Sequence, residues 1–516
     1  MTSLNAAQRS RDLAALADGR PVDLLVIGGG ITGAGAALDA AARGLRVVVV
    51  ESRDWAFGTS RWSSKLVHGG LRYLASGRIG IARESAIERH VLMTTVAPHL
   101  IHPLATVVPA LPSMKWHERA LIRAGFVAAD ALRRSAGTSA DLLPRSRRVD
   151  ATEARGRFPA VAAAGLRGGY VAWDGQLVDD ARLVVTVART AADLGATALT
   201  RVRAVDVTGT SARLVDTLTG QSLTLQARAV INAAGVWAGD IDPSVKLRPS
   251  RGTHLVFAAS TFGNPTSSIT VPVPGSISRF VFAMPEPLGR VYLGLTDEDA
   301  PGPIPDEPAA AESEIDFLLD TINTALARPV GRDDVLGTYS GLRPLIDAGD
   351  GATADVSRKH AVTVGPDGVV SIVGGKLTTY RQMAEDVVDR ALALAGLPAQ
   401  PCRTKEIPLV GAPARPDSRS RDGLPPSLVS RFGGRSAEVF ETATVADPLA
   451  PVADGIDVTR AEIEYAVSSE GALDVSDVLD RRTRIGLVGA DADRARAAVE
   501  EIVAATLGDL PAAGSS

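Results

Sequence analysis

Residues 22–51 read VDLLVIGGGITGAGAALDAAARGLRVVVVE, and this stretch decides the fold. Val22–Ile27 is a run of apolar residues interrupted only by Asp23, the pattern of a buried strand. Gly28-Gly29-Gly30 follows, and then an alanine-rich helix from Ile31 to about Arg43, closed by Gly44. Leu45–Val50 is a second strand of mostly branched residues that ends on Glu51. Together they form one βαβ unit. Within it, Gly28-x-Gly30-x-x-Gly33 falls between strand and helix. Gly28 permits the tight turn, Gly30 lets backbone approach a pyrophosphate, and Gly33 lets the helix pack closely on the sheet. Free N–H groups at the helix start face the phosphates. Glu51 stands where a carboxylate accepts hydrogen bonds from the adenosine ribose. The unit predicts dinucleotide binding and does not by itself separate NAD from FAD.

Working outward, further strand signals occur around Ala229–Asn232, Val291–Leu295 and Val369–Val373. Strands returning so late predict a second region inserted into the dinucleotide-binding domain, with re-entry near Gly374. The expected organisation is an N-terminal extension (1–20), a nucleotide-binding domain interleaved with a substrate domain (21–410), a Pro/Arg/Ser/Gly-rich linker (411–426) and a helical C-terminal cap (427–516). In the cap, Thr459 with Glu462 forms a capping box and Ala492–Leu507 is a final helix. A chain of 516 residues exceeds one ordinary core. Its net charge of −4 gives no polyanion-binding signature, so nucleic acid is not an expected partner. Cys402 is the sole cysteine, which excludes an internal disulfide and a thiolate metal cluster; no metal is expected, and redox chemistry must come from a bound cofactor. No signal peptide and no apolar run long enough to span a bilayer is read, so a cytoplasmic location is expected.

After Glu51 comes Gly58-Thr59-Ser60-Arg61-Trp62-Ser63-Ser64-Lys65-Leu66-Val67-His68-Gly69-Gly70-Leu71-Arg72-Tyr73-Leu74. Hydroxyls and glycines this dense suit a pyrophosphate and a flat ring approached by backbone. The run SSKLVHGGLRYL, preceded by GGGITGAGAALDAAARGL, resembles the FAD-dependent glycerol-3-phosphate dehydrogenase family, bacterial respiratory and mitochondrial. Matching segments follow in order: Leu177–Leu183, Ile231–Gly235, Arg251–His254, Gly294–Asp297, Tyr339–Leu345 and Gly374–Arg381 (GGKLTTYR). Thr32 stands where the family has asparagine, Arg61-Trp62 where it has smaller residues, and Lys359 where it has an acidic one.

The resemblance implies an α/β architecture: a Rossmann-like FAD-binding domain, an inserted β-sheet substrate domain and a helical C-terminal cap. It implies oxidation of sn-glycerol 3-phosphate to dihydroxyacetone phosphate, with a quinone as the expected electron acceptor. Besides Gly28, Gly30, Gly33 and Glu51, the cofactor is expected to meet Thr59, Ser60, Ser64, Gly69, Gly70, Gly374, Gly375 and Leu377. A helix beginning near Leu377 would present its positive end to the reduced flavin. Arg72, Arg358 and Lys376, with Tyr73 and Thr378 as neutral donors, are the expected phosphate ligands. His254 and Arg343 are placed at the reacting hydroxyl, His254 as a base and Arg343 stabilising the developing oxyanion, with His68 a third candidate. The resemblance is also compatible with a homodimer.

Alternatives from other classes are an oxidase passing electrons to oxygen, which shares nearly all these motifs, and a non-catalytic flavin-binding redox sensor. A sensor needs no phosphate cations, and Arg72, Tyr73 and Lys376 argue against it. A last expectation concerns Met114–Arg134. On a helix, Lys115, Arg119, Arg123, Arg133 and Arg134 share one sector with Phe126 and Asp130, while Leu121, Ala128, Ala131 and Leu132 lie opposite. With Trp116 at one end, this pattern suits peripheral binding to the cytoplasmic face of a membrane; the alternative is a surface helix with its apolar face on the core.

Overall fold

A computed structural model describes residues 2–70, 78–274, 279–347, 359–412 and 423–510. Arg72, Tyr73, Arg358 and most of the expected linker lie outside them. A helix α1 (Ala6–Leu16) precedes β1 (Val22–Ile27), α2 (Ile31–Ala42) and β2 (Val47–Val50). The chain then runs through α3 (Ile79–Val91), β3 (Ile101–Pro109), α4 (Trp116–Ser135) and β4 (Gly169–Leu177). It returns along α5 (Asp180–Asp193), β5 (Thr197–Leu199) and β6 (Ser222–Asn232). A second excursion gives β7 (Leu247–Ala258), β8 (Ser268–Pro272), β9 (Phe280–Glu286), β10 (Arg290–Gly294), α6 (Glu312–Asn323) and β11 (Val335–Ile346). The last return is β12 (Ala361–Val364), β13 (Val370–Val373) and α7 (Tyr380–Ala395), before the C-terminal helices α8 (Pro426–Phe432), α9 (Ser436–Glu441), α10 (Arg460–Ser468) and α11 (Gly489–Asp509).

The first sheet runs β12-β13-β6-β1-β2-β5. Its pairs β13–β6, β6–β1, β1–β2 and β2–β5 are parallel, and β12 closes one edge antiparallel. A parallel sheet needs cover on both faces, which is why β1 and β2 read as nearly unbroken apolar runs. The one polar interruption ties down the end of the strand, where Asp23 accepts from the backbone N–H of Arg46 (2.9 Å). Alanine in α2 lets α5 and α7 pack against it; a Cβ on Gly35 would stand 2.9 Å from the Tyr380 ring of α7. Burying one Val or Leu here contributes about 1.5–3 kcal/mol.

The second sheet, order β7-β10-β9-β8-β3-β4, is built from both excursions, with β11 on the other side of β7. Its core includes Val107, Val171, Phe257, Ile269 and Leu293, with α6 supplying Leu318 and Ile322. The insertion expected from the late strands is therefore present, in two pieces. The C-terminal residues form the expected helices plus a short hairpin, Pro451–Ala453 with Ile456–Thr459, and the Thr459–Glu462 capping box is formed. Helix α1 ties the ends together: Leu16 packs on the first sheet, and Asn5 Nδ2 donates to the Ser468 carbonyl (3.0 Å).

Candidate active site

One cavity of about 1000 Å³ runs between the two sheets. That is the upper end of the usual range for ligand sites, about 300–1,000 Å³. At one end lies the β1–α2 turn. Gly28 has φ +114°, and a Cβ there would stand 2.5 Å from the Ala233 carbonyl oxygen. On Gly33 a Cβ would meet the Gly28 carbonyl oxygen at 1.8 Å, so helix and turn touch backbone to backbone. Gly30 is different: a Cβ there would meet only Ser60 Oγ, at 3.0 Å. Ser60 Oγ accepts from the Ile31 N–H at the helix start (2.9 Å). Glu51 is drawn in by the backbone, accepting from Gly29 N (2.7 Å) and Arg53 N (2.8 Å). Burial raises its pKa, and those two N–H groups oppose the shift. Ser52 Oγ also donates to Oε1 (3.3 Å), which leaves Oε2 with a lone pair for a ribose hydroxyl.

The opposite wall begins at β13, three strands from β2, or about 14 Å along the hydrogen-bonding direction. Gly374 and Gly375 have φ of 79° and 78°, and a Cβ on Gly375 would stand 2.4 Å from Met383 Sδ. Leu377–Thr379 forms a turn of 3₁₀ helix that leads into α7. Lys376 lines the cavity and donates to Ser85 Oγ on α3 (2.6 Å); Thr378 lines it too. From the second sheet comes Arg343, whose Nη1 donates to Asp297 Oδ1 (3.1 Å) and Ser250 Oγ (3.2 Å), and whose Nη2 donates to the Thr296 carbonyl (3.2 Å). Gly252 makes room for it, since a Cβ there would stand 2.0 Å from Arg343 Nη2.

Thr59, Ser60, Ser64 and His68 all line the cavity. Thr59 Oγ1 is spent on the Leu342 carbonyl (2.6 Å), tying the loop to β11. His254 does not line the cavity. It is fully buried, stacked on Tyr339 (centroids 4.5 Å apart), and reaches the wall through Ser64, whose Oγ lies 3.1 Å from Nε2. Burial first, then Lys65 and Arg343, hold its pKa well below 6.5, so the imidazole is neutral. Gly69 and Gly70 also stand behind the wall; Gly69 N donates to Asp174 (3.0 Å), which lines it and pairs with Arg89 (2.6 Å).

Several site residues escaped sequence reasoning. Asp297 anchors Arg343, Ser85 anchors Lys376, and Lys65 forms a buried pair with Asp180 (2.7 Å) beside Ser63 and Ser64. Burial pushes the Asp180 carboxyl up, but Lys65 and Arg484 overcome it and hold it below the usual carboxylate range. The matching segments Leu177–Leu183 and Gly294–Asp297 contain two of these acids, and their partners lie far off in sequence.

The residues fit a flavin dinucleotide: a glycine cradle, a half-buried acidic strand end and a second glycine turn at a helix start share one cavity. Residues 23–381 match the family model described as FAD dependent oxidoreductase, and residues 402–510 match the C-terminal domain of alpha-glycerophosphate oxidase. Over 507 residues the chain is 64% identical to glycerol-3-phosphate dehydrogenase 1 of Mycobacterium tuberculosis, covering 97% of this chain and 98% of the relative. The chain belongs to the FAD-dependent glycerol-3-phosphate dehydrogenase family. A more distant member, the Mycobacterium leprae glycerol-3-phosphate dehydrogenase, is 36% identical over 489 residues, covering 90% and 81% of the two chains. The solved glycerol-3-phosphate dehydrogenase of Bacillus halodurans, complexed with FAD, is similar with a TM-score of 0.74 at 26% identity, covering 98% of this chain and 94% of that one. This likeness extends over both sheets and the C-terminal helices, and the chain is an FAD-dependent oxidoreductase.

Proposed function

We propose that the cavity oxidises sn-glycerol 3-phosphate to dihydroxyacetone phosphate. The carrying observation is the lining: the glycine turn and Glu51 share one cavity with Lys376 and Arg343, cations held in place by Ser85 and Asp297. Such a pair suits a small alcohol bearing a dianionic phosphate. FAD bound along the cavity supplies the two-electron acceptor for the hydrogen leaving C2. Lys376, held by Ser85, binds the phosphate, and Thr378 adds a neutral donor. Phosphate binding is likewise proposed for Arg72, Tyr73 and Arg358. Arg343, fixed by Asp297 and Ser250, faces the 2-hydroxyl and stabilises negative charge developing on its oxygen. The hydroxyl proton passes to Ser64 and on to His254 Nε2; the low proton affinity of His254 makes it a transient holder. His68, on the wall itself, orients the ring or the substrate.

Steady-state turnover of the FAD-loaded protein with glycerol 3-phosphate tests this reading, using a quinone analogue or oxygen as acceptor. Activity with the quinone analogue and little with oxygen is the expected result. Preference for oxygen would make it an oxidase, and no turnover with either acceptor would overturn the reading.

A quinone acceptor requires contact with a bilayer surface, and α4 supplies an outward apolar face. No helix among the described residues is long and apolar enough to cross a membrane. On α4 the structure reverses the facing expected of an ordinary surface helix. Phe126 and Arg133 are buried, and Arg123 and Asp130 bond Ser146, so much of the basic sector packs inward. Trp116 (74% exposed), Leu121 (53%) and Val127 (50%) point outward, with exposed Ile79 at the start of α3. The arginines turn in because Ser146 and Thr138 offer them fixed acceptors. The apolar face, rather than the basic one, is the proposed contact with lipid.

A further inference from the structure

The C-terminal domain reaches the cavity wall from behind, through the run Arg481-Arg482-Thr483-Arg484, whose three arginines are buried. Arg481 Nε (2.7 Å) and Arg482 Nη1 (2.8 Å) both donate to Asp54, which lies just before the cavity loop. Arg484 goes further in. Its Nη2 donates to the Arg61 carbonyl (2.8 Å) and its Nη1 to the Asp480 carbonyl (2.9 Å). Its Nε lies 3.1 Å from Asp179, and its guanidinium carbon lies 5.3 Å from the centre of the Trp62 ring.

The Arg61 carbonyl also accepts from Lys65 Nζ (2.9 Å). Both donors to this one oxygen are non-glycine residues in the left-handed region, Lys65 at φ 54° and Arg484 at φ 64°. Side chains disfavour that conformation, and it persists where surrounding contacts over-determine it. From Arg61 the chain leads straight into the site. Trp62 lines the cavity and stacks on Tyr339 (5.8 Å, 22°). Ser63 N donates to Asp180 (2.8 Å), and its carbonyl accepts from the Tyr339 hydroxyl (3.2 Å). Ser64 then meets His254.

We propose that Arg484 is a positioning residue through which the C-terminal domain clamps Arg61–Ser64, holding Trp62 and Ser64 in place on the cavity wall. The role accounts for the bulky Arg61-Trp62 pair: Trp62 gives Arg484 a flat ring to lie against, and the Arg61 guanidinium also lies over that ring, 4.1 Å from its centre. The proposal rests on the reading of the cavity as a glycerol 3-phosphate site.

The test uses the FAD-loaded full chain as wild type, Arg484→Gln and Arg484→Lys. Amide hydrogen exchange in peptides covering residues 59–67 should quicken in Arg484→Gln, while β1 and α2 exchange as in wild type. With glycerol 3-phosphate, kcat should fall between about ten- and a hundredfold, as expected when a reacting group shifts slightly, with KM changing far less. Arg484→Lys should fall between the two, because an ammonium reaches the Arg61 carbonyl but cannot also stack on Trp62. If Arg484→Gln does not fold, the Lys variant carries the same comparison with wild type. Unchanged exchange in 59–67, or faster exchange confined to the C-terminal helices, overturns the clamp, as does an unchanged kcat. A wild type without turnover would sink the substrate reading, while the exchange comparison would still judge the clamp.

Discussion

Around Gly28–Gly33 the site is made of backbone; around Arg343 and Lys376 it is made of side chains held by other side chains. At the first end, space is the critical quantity, since a Cβ on Gly28 or on Gly33 would overlap a backbone carbonyl. At the second end it is charge: Arg343 leans on Asp297 and Ser250, and Lys376 leans on Ser85. A local segment supplies nearly all of the first kind of site, with Ala233 and Ser60 closing in on it from outside. The second kind exists only after the two sheets have met. Substitutions should accordingly fail in different ways at the two ends.

The largest effect should come from Gly33→Ala. Its new Cβ would stand 1.8 Å from backbone that cannot rotate away, so the helix or the turn must move. A loss above about 4 kcal/mol is expected, the range for severe core disruption, seen as insoluble or FAD-free protein. Gly30→Ala meets only a serine hydroxyl at 3.0 Å and should fold, with weakened FAD affinity. Equal FAD content in both variants would break the contrast between a packing glycine and a cofactor-facing one.

At the charged end, Lys376→Ala should keep FAD and raise KM for glycerol 3-phosphate. Losing one partner of a desolvated charge-assisted bond costs about 2–5 kcal/mol, or roughly 30- to 5000-fold. Asp297→Asn should act through Arg343 and lower kcat more than it changes KM. Steady-state kinetics on FAD-replete protein separates the two effects, and unchanged constants in both would remove this wall from substrate binding.

A smaller effect is tied to pH. His254 is held neutral by burial, while in the unfolded chain it titrates near 6.5. Below that value the unfolded state binds a proton that the folded state refuses, so this group's contribution to stability falls as pH drops. The expected slope is about 1.4 kcal/mol per pH unit at most. Thermal unfolding of wild type and His254→Gln between pH 7 and 5 should show the wild type losing ground to the variant. Parallel curves would mean that the imidazole is not held neutral.

The smallest expected effect is at the surface. Trp116→Glu with Leu121→Glu should leave turnover with a water-soluble acceptor unchanged and reduce co-sedimentation with lipid vesicles. If wild type never pellets, or the double variant pellets equally, α4 is not the contact.

The contrast between the two ends also explains what could be read from the sequence. The β1–α2–β2 unit was legible because its periodicity, its glycines and Glu51 are local: Gly33 packs on Gly28 and Glu51 accepts from Gly29 within the same short stretch. The second sheet was legible only as strand signals arriving late, since the pairing of β3 with β8 joins residues far apart in the chain. Resemblance gave roles to Arg343 and Lys376; it included Asp297 in a matching segment without a role and did not reach Ser85, the partners that orient them. His254 was expected at the reacting hydroxyl and instead stands behind Ser64, a separation of layers that no spacing encodes. For α4 the sequence places the arginines on one sector, but which of them turn inward depended on acceptors at Ser146 and Thr138, outside the helix. Arg484, more than four hundred residues from Arg61, gave no local signal at all.

The proposed role of this cavity is to bring FAD and glycerol 3-phosphate together. Its most direct test is an anaerobic titration of the FAD-loaded protein, following the visible absorbance of the oxidised flavin. Glycerol 3-phosphate should bleach it with one equivalent per flavin, and glycerol, lacking the phosphate that Lys376 binds, should not. A flavin that dithionite reduces but glycerol 3-phosphate leaves oxidised would contradict the account.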